Sequence, residues 1–268
     1  MKRPTAAIYY AWSILELLAR VRRPMDMIRL FLSNRLPKDG LMRLRRKSLV
    51  FRIRSRMDAW SVKEAVIDRF YERKGMRIAD DWTVVDIGAA IGEFTVAAAC
   101  RARAGMVYAF EPNQESVRIL RENLDLNHLR NVLVNQCGVW GTEAQLLSLE
   151  MGNAEPLQAI SVETAPENCE DGLSFDVITL AQVVEDVVQG DVDLLKLDCE
   201  GAEYAILEAT GPATFKRIRR ISMEYHDLDT QRNHRLLKSL LEKQGYKVKR
   251  AANWVHRDIG YLYAIRAS

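Results

Sequence analysis

The stretch TVVDIGAAIGEFTVAAACRARAGMVYAFEP, residues 83–112, decides the fold class. It begins with a short run rich in β-branched residues, turns at two glycines, continues at helical spacing and ends with a second apolar run. Segments of the same two kinds alternate along the rest of the chain. Such alternation predicts an α/β fold, in which a mostly parallel sheet carries helices on both faces.

The same pattern sets the expected elements. Strands are predicted over 83–89, 106–112, 131–139, 192–198 and 219–227, with a closing antiparallel pair over 247–255 and 260–266. Helices are predicted over 92–104, 113–127, 203–218 and 234–246. Residues 141–175 are expected to form an inserted hairpin and loop, and residues 175–187 a short strand that runs into a helical turn.

The first turn carries features of a ligand site. Gly88 and Gly92 bracket a turn where the backbone can approach a ligand closely, and Glu111 ends the next strand. Ligands of open α/β sheets bind at the carboxyl ends of strands, where an acid can accept hydrogen bonds from the vicinal hydroxyls of a ribose. Asp86, inside the first strand, is a buried acid that needs donors. The D-x-G-x-x-x-G spacing differs from the dinucleotide fingerprint G-x-G-x-x-G.

A second charged stretch, LLKLDCEGAE at residues 194–203, interrupts an apolar run. In an extended chain Lys196, Asp198 and Glu200 share one face. Charged groups are rarely buried unless they are paired. The stretch is therefore either an exposed edge strand or a buried strand whose charged end opens into a site.

The composition is that of a globular protein, with 48% hydrophobic and 28% charged residues among 268. The four cysteines lie far apart and form no C-x-x-C pair, which favours reduced thiols and a cytosolic protein. Residues 1–56 contain fifteen Lys and Arg against three acids, a net charge of +12, whereas the remaining residues carry −9. We therefore predict a basic, largely helical N-terminal extension over residues 1–75 and a second domain over 76–268.

Residues 6–19, AAIYYAWSILELLA, are too short and too interrupted by Glu16 to span a membrane. They predict an amphipathic helix with Ile8, Trp12, Leu15 and Leu18 or Ala19 on one face. We expect this face to pack on the body of the protein. Docking on an anionic membrane surface, or a basic contact to nucleic acid or an acidic partner, are the alternatives.

The strings DIGAAIGEFT, FEP, DLLKLDCEGAE and MEYHD, in this order and spacing, resemble the FkbM-type family of S-adenosylmethionine-dependent methyltransferases over roughly residues 82–248. The K-x-D-x-E-G-x-E string is the most particular to that family. The resemblance implies a class I methyltransferase fold, a Rossmann-like doubly wound sheet of seven strands whose last strand is antiparallel. It also implies an O-methyltransferase that acts on a hydroxyl of a sugar, glycan or polyketide-like small molecule.

The resemblance also implies roles for residues. The Gly88–Gly92 turn would face the methionine half of S-adenosylmethionine, Glu111 would hold its ribose, and the segment around Gln136 and Cys137 would lie against adenine. The cofactor residues implied are Asp86, Gly88, Ala89, Gly92, Glu111, Pro112, Gln136 and Asp198. One departure is Ala90, where the family usually carries asparagine.

Asp198 and Glu200 are expected at the mouth of the site, with Lys196 one step deeper to neutralise a carboxylate. Glu203, at the start of the next helix, is expected to act as a cap. His226 could remove the proton from the attacking hydroxyl, with Asp198 or Glu200 as the alternative base. Two carboxylates and a histidine could also hold a divalent metal, but this is a weak metal signal and no metal is predicted.

Three classes of function stay open. The first is the O-methyltransferase, with a small-molecule or glycan acceptor and an anionic or membrane-surface partner for the basic segment. The second is an RNA methyltransferase that uses the basic arm; the absence of an N-P-P-Y-type loop and of an RNA-binding module makes nucleic acid a weaker partner. The third is a non-catalytic binding protein on the same fold. We expect the protein in the cytoplasm, either free or peripheral to the inner face of the membrane.

Overall fold

The computed structural model describes residues 6–45, 48–142, 148–150, 158–161, 175–253 and 255–267. Its strands, in chain order, are β1 (Leu41–Arg43), β2 (Val50–Arg52), β3 (Thr83–Ile87), β4 (Met106–Phe110), β5 (Val132–Asn135), β6 (Gly138–Trp140), β7 (Ser148–Glu150), β8 (Gln158–Ser161), β9 (Val177–Thr179), β10 (Leu194–Leu197), β11 (Arg220–His226), β12 (Tyr246–Ala252) and β13 (Ile259–Arg266).

The helices in the same residues are α1 (Ala6–Arg20), α2 (Pro24–Ser33), α3 (Arg56–Val62), α4 (Glu93–Ala99), α5 (Gln114–Leu126), α6 (Leu180–Gln182), α7 (Glu203–Ala209), α8 (Pro212–Lys216) and α9 (His234–Lys243). Wider π-helical turns over Lys63–Ile67 and Val183–Val188 extend α3 and α6, and Phe70–Glu72 forms a 3₁₀ turn.

Seven strands form the central sheet, in the order β12-β13-β11-β10-β3-β4-β5. The five neighbouring strands β11, β10, β3, β4 and β5 pair in parallel, and β13 runs antiparallel to both of its neighbours. Helices cover both faces: α7 and α9 pack on one face and α4 on the other. The predicted doubly wound sheet of seven strands, with the last strand antiparallel, is confirmed.

The central position of β3 and β10 in this sheet explains why their sequences are mostly apolar. All four residues of β10 are buried, and so are the last four of β3. A parallel strand covered by helices on both faces is largely apolar rather than alternating, and the charged residues of these two strands, Lys196 and Asp86, are buried as a pair. β10 is flanked by β3 and β11, so the alternative that it is an exposed edge strand is wrong.

Two predicted elements are divided in the structure. The strand expected over 131–139 is split into β5 and β6, and β6 pairs with β9 in a separate parallel ladder. The helix expected over 203–218 is interrupted between α7 and α8, because Pro212 occupies the first turn of α8. Proline lacks the amide hydrogen that a continuous helix would require and its ring clashes with the preceding turn. β7 and β8 form an antiparallel pair within the expected hairpin region, most of which lies outside the described residues.

The N-terminal segment packs closely against the sheet domain. β1 and β2 form a small antiparallel pair, and the outer edge of β2 bonds to a side chain of α5 and to one just after this helix. Asn123 accepts a hydrogen bond from the Arg52 amide at 2.6 Å, and Asn127 accepts one from the Val50 amide at 3.0 Å. The two asparagines thus satisfy backbone groups that a strand edge would otherwise leave unpaired. The division of the chain at residue 75 stays a prediction.

The outer face of α1 differs from the expected one. Ile8, Trp12 and Leu15 are 61%, 70% and 61% exposed, whereas Ser13 and Leu17 on the opposite face are 3% and 0% exposed. The prediction that the Ile8 face packs on the body is therefore wrong. The helix is apolar on both faces, and the face that contains Leu17 packs on the body instead. Among the described residues, no helix is long and apolar enough to cross a membrane.

Candidate active site

The glycine turn after β3 lies against the end of β10. Gly88 and Gly92 have φ of +75° and +86°, in the left-handed region that favours glycine, and Ala90 adopts φ of +46°. A β-carbon on Gly88 would lie 1.9 Å from the backbone oxygen of Asp198. Only glycine fits there, because the ends of the two neighbouring strands approach each other directly. The buried Ala89 follows within the turn.

The carboxylate of Glu111 is fixed at the end of β4. One oxygen accepts a hydrogen bond from the Ala90 amide at 2.8 Å, and the other accepts one from the Asn113 amide at 2.9 Å. Burial raises the pKa of Glu111, and these two backbone hydrogen bonds oppose that rise. Each oxygen keeps a second lone pair. Because both oxygens are already oriented, Glu111 can accept hydrogen bonds from a pair of adjacent hydroxyls with little reorganisation.

A buried ion pair lies beneath the glycine turn. The Lys196 ammonium is 3.0 Å from Asp86 Oδ1 and donates a hydrogen bond of 2.6 Å to the Gly88 carbonyl. The other oxygen of Asp86 accepts from the Thr95 hydroxyl at 2.5 Å. Burial alone lowers the pKa of Lys196, but the carboxylates of Asp86 and Asp198 raise it above its ordinary value. Lys196 is therefore a buried cation that links β10 to β3 through Asp86 and to the glycine turn through the Gly88 carbonyl.

Three polar side chains meet where β10 and β11 end. Single ligand atoms of Asp198, Glu200 and His226 all lie within 4.8 Å of one another. The His226 Nε2 atom is 3.4 Å from Glu200, and its Nδ1 atom is 3.4 Å from the buried Glu203. The contact between Nδ1 and Glu203 is an ion pair rather than an aligned hydrogen bond, because Nδ1 has no hydrogen-bond partner of suitable geometry among the described residues.

The charge of His226 follows from these neighbours. Burial alone lowers the pKa of the imidazole, but the carboxylates of Glu203, Glu200 and Asp198 raise it to about 10. The ring is thus protonated at neutral pH. A divalent cation at this cluster would have to displace that proton, because metal ligation requires the neutral imidazole. The expectation that no metal binds stays a prediction.

Glu203 caps the loop that leads into α7. Its two oxygens accept hydrogen bonds from the Cys199 amide at 2.8 Å and the Gly201 amide at 2.9 Å, and it is fully buried. The predicted position in the first turn of α7 is confirmed, but the carboxylate bonds amides of the preceding loop rather than those of the helix itself. The cap fixes Glu200, at φ of +51°, between the end of β10 and the helix.

The remaining predicted residues flank this site. Pro112, half-buried, follows Glu111 directly, and the exposed Gln136 and half-buried Cys137 connect β5 to β6. Burial raises the pKa of Cys137 to about 11, so its thiol stays protonated. Cys137 and Cys199 form no disulfide bond, and Cys169 lies outside the described residues.

Comparison with known proteins identifies the protein family. Residues 86–248, more than half of the chain, match the model of the methyltransferase FkbM domain. The chain belongs to the FkbM family of S-adenosylmethionine-dependent methyltransferases. The predicted resemblance is thereby confirmed, and the chain is an enzyme of this class.

Relatives of this FkbM-family enzyme include two of similar length. The 31-O-demethyl-FK506 methyltransferase FkbM of Streptomyces tacrolimicus is 27% identical over 194 residues, which cover 62% of this chain and 74% of that protein. Methyltransferase 1 of Beauveria bassiana is 26% identical over 221 residues, which cover 74% and 84% of the two chains. The crystal structure of methyltransferase FkbM from Methylobacillus flagellatus has a TM-score of 0.50 and 16% identity, covers 96% of this chain and 59% of that one, and shows the same fold.

The site of this FkbM-family enzyme contains a residue that the sequence did not indicate. Tyr71, in the 3₁₀ turn before the matched domain, donates a hydrogen bond of 2.6 Å to Asp198. Its oxygen is also 3.2 Å from Glu224, whose pKa burial and the charges of Asp198 and Glu64 raise well above the ordinary value. The raised pKa favours the protonated form of Glu224, and its Oε2 atom lies within hydrogen-bond distance of the Tyr71 hydroxyl. No motif surrounds Tyr71, so the sequence offered no signal for it.

Two further acids were missed for a different reason. Burial raises the pKa of Glu93 to about 8 and that of Glu64 to about 7. Both residues stand in segments predicted to be helical, where a glutamate is ordinarily solvated. Glu224, by contrast, could have been found, since it precedes His226 by two positions on the same face of a strand.

Proposed function

We propose that this FkbM-family enzyme transfers a methyl group from S-adenosylmethionine to a hydroxyl of a sugar, glycan or polyketide-like small molecule. The observation that carries the proposal is the cluster of Asp198, Glu200 and His226 at the strand ends next to the glycine turn. A relative whose name describes 31-O-methylation of FK506 supports an oxygen on a small molecule as the acceptor.

The residues present fit the cofactor. We assign the turn of Gly88, Ala89 and Gly92 to its methionine half, with Asp86 and Asp198 bordering that turn. We assign Glu111 and Pro112 to the ribose, and Gln136 to the adenine. The preoriented oxygens of Glu111 support this assignment, because they are ready to accept from two vicinal hydroxyls.

When it is bound, the sulfonium supplies an already activated methyl group, so the protein has to position the acceptor and take up its proton. The high pKa of His226 argues against this residue as the base at neutral pH. We therefore assign proton uptake to Asp198 or Glu200, which are partly exposed at the mouth of the site. The His226 imidazolium would stabilise negative charge that develops on the acceptor oxygen.

The location of the enzyme and its partners belong to the same proposal. The free thiols of Cys137 and Cys199 support a reducing, cytoplasmic environment. The strongly basic N-terminal segment supports an anionic partner, at the inner face of a membrane or on the acceptor itself.

Calorimetric titration with S-adenosylhomocysteine tests the cofactor site without knowledge of the acceptor. We expect the wild-type protein to bind, and Glu111→Ala to bind at least about ten-fold more weakly, which is about 1.4 kcal/mol for lost charge-assisted hydrogen bonds. Glu115→Ala is the matched control, because that glutamate is exposed one turn further along the chain. Thermal unfolding of each variant establishes that it is folded. Absence of binding to the wild type, or equal binding by Glu111→Ala, would remove the basis for the assignment.

Turnover on a panel of hydroxyl-bearing sugars, glycans and polyketides tests the reaction itself, with S-adenosylhomocysteine release as the readout. We expect Asp198→Asn or Glu200→Gln to lower kcat by about 10²-fold or more, as loss of a general base does. Cofactor affinity should change less than turnover in the Glu200→Gln variant. Methylation of RNA but of no compound in the panel would contradict the proposed acceptor class.

A further inference from the structure

The exposed face of α1 is left uncovered by the residues that the structure describes. Ile8, Trp12 and Leu15 lie about one helical turn apart and project away from the body, opposite the buried Ser13 and Leu17. A contiguous row of large apolar side chains at a surface is typical of an interaction site. We propose that this face docks on the surface of an anionic lipid bilayer, with the axis of α1 lying parallel to the membrane plane.

The charge around α1 favours anionic lipid as the occupant. Residues 1–56 carry a net charge of +12, and the exposed Arg20, Arg22 and Arg23 end α1 and follow it directly. Arg35 and Lys38, just beyond α2, are also exposed and form no ion pair with another described residue. Helices that lie in the membrane interface combine an apolar face containing Trp with nearby Lys and Arg, and each base adds attraction to anionic lipid. A second copy of this chain would instead bring like charge to the same face.

The next helix extends the apolar surface. Met25 and Leu32 of α2 are 57% and 83% exposed, and Arg29 is exposed between them at helical spacing. This row has the same mixture of large apolar and basic side chains as α1 and the residues after it. Both helices pack through their inner faces on Trp60, whose ring centroid is 5.5 Å from that of Tyr10 and 6.4 Å from that of Phe31. Because both helices contact Trp60, the exposed side chains of α1 and α2 are held close to each other.

The position of α1 links this surface to the active site. The Tyr10 hydroxyl lies 3.2 Å from His256 Nε2, in the loop between β12 and β13. β12 runs in the same direction as β11, so this loop leaves the sheet at the edge where Asp198 and His226 lie. The Tyr10 contact therefore places α1 beside a loop at the active-site edge of the sheet. Docking does not depend on methyl transfer; the inference that the acceptor is presented at the bilayer rests on the proposed function.

Co-sedimentation with lipid vesicles tests the docking. The full-length protein is mixed with vesicles of phosphatidylcholine alone or with added phosphatidylserine. We expect binding to the phosphatidylserine vesicles, weakened by salt, because screening reduces the attraction of exposed charges. Trp12→Gln combined with Leu15→Gln should bind at least about ten-fold more weakly, which corresponds to about 1.4 kcal/mol.

Leu133→Gln is the matched control, since Leu133 is an apolar side chain on β5, 42% exposed and remote in sequence from α1. It should bind vesicles like the wild type. Titration of every variant with S-adenosylhomocysteine keeps docking distinct from the cofactor site: loss of vesicle binding with cofactor affinity unchanged supports the proposal. Failure of the wild type to bind phosphatidylserine vesicles would overturn it, and so would equal binding by the double variant. A wild-type dimer that the double variant dissociates, with no vesicle binding, would assign the face to a second copy and likewise overturn it.

Discussion

Replacement of Lys196 by methionine is expected to destabilise the protein strongly. The side chains of Lys196 and Asp86 are 2% and 0% exposed, and their charged atoms are 3.0 Å apart. The substitution leaves Asp86 as a buried carboxylate without its cation and removes the hydrogen bond to the Gly88 carbonyl. Loss of one partner of a buried ion pair costs about 3–5 kcal/mol. For a chain of this size we expect the midpoint of thermal unfolding to fall by roughly 2–4 °C per kcal/mol.

Urea unfolding of the wild type, Lys196→Met, Asp86→Asn and the double variant measures the pair directly. Because Asp86→Asn removes the orphaned charge, the double variant should be more stable than the sum of the single losses indicates, by about 0.5–3 kcal/mol. Lys238→Met is the matched control. Lys238 pairs with Glu242 at 3.6 Å on an exposed helix face, so its loss should cost less than about 0.5 kcal/mol.

The pH dependence of the Lys196→Met variant carries a definite sign. Burial raises the pKa of Asp86, and Lys196 opposes that rise in the wild type. Without the lysine, the pKa of Asp86 in the folded state lies further above its unfolded value, so the folded state binds the proton more tightly. The stability deficit should therefore shrink as the pH falls from about 7 toward 5. A deficit below about 1 kcal/mol at neutral pH, or one independent of pH, would refute the description of Asp86 as a buried, compensated charge.

Three further expectations follow from the site. Tyr71→Phe removes the hydroxyl that donates to Asp198, so steady-state kinetics should show that kcat/KM falls by about ten-fold. The affinity for S-adenosylhomocysteine should stay within about two-fold of the wild type. Gly88→Ala should abolish S-adenosylhomocysteine binding in a calorimetric titration, because the new β-carbon would clash with the backbone of Asp198. Gly245 has φ of +87° but open space around it, so Gly245→Ala should still bind the ligand. Its free energy of unfolding in urea should fall by only about 1 kcal/mol. The pKa of His226 is raised to about 10, so its charge stabilises the folded state fully below the ordinary pKa of histidine and no longer above about pH 10. The difference in unfolding free energy between the wild type and His226→Gln, measured in urea, should therefore decrease as the pH rises through about 10. A difference that stays constant with pH would contradict this expectation.

The sequence was informative wherever one residue type is required by local geometry. The apolar run of β3 followed by Gly88, and the charged end of β10, could be read directly because burial and close approach restrict those positions. The face of α1 was predicted wrongly because both sides of that helix are apolar, and periodicity alone does not say which side packs. The charge of His226 depends on the buried Glu203, whose position relative to the ring is set by tertiary structure. Tyr71 meets Asp198 across 127 residues of chain without any motif to announce it.

The placement of Tyr71 has an evolutionary consequence. The matched domain starts at residue 86, so Asp198 and Glu111 come from the shared domain, whereas the hydroxyl that contacts Asp198 comes from the segment before it. The surroundings of Asp198 are thus assembled from two stretches of chain, one inside the matched domain and one before it. Divergence of the leading segment can remodel the surroundings of Asp198 while the residues assigned to the cofactor stay untouched. Exchange of residues 6–75 between relatives, followed by parallel measurements of cofactor affinity and acceptor preference, would show whether the two properties are inherited separately.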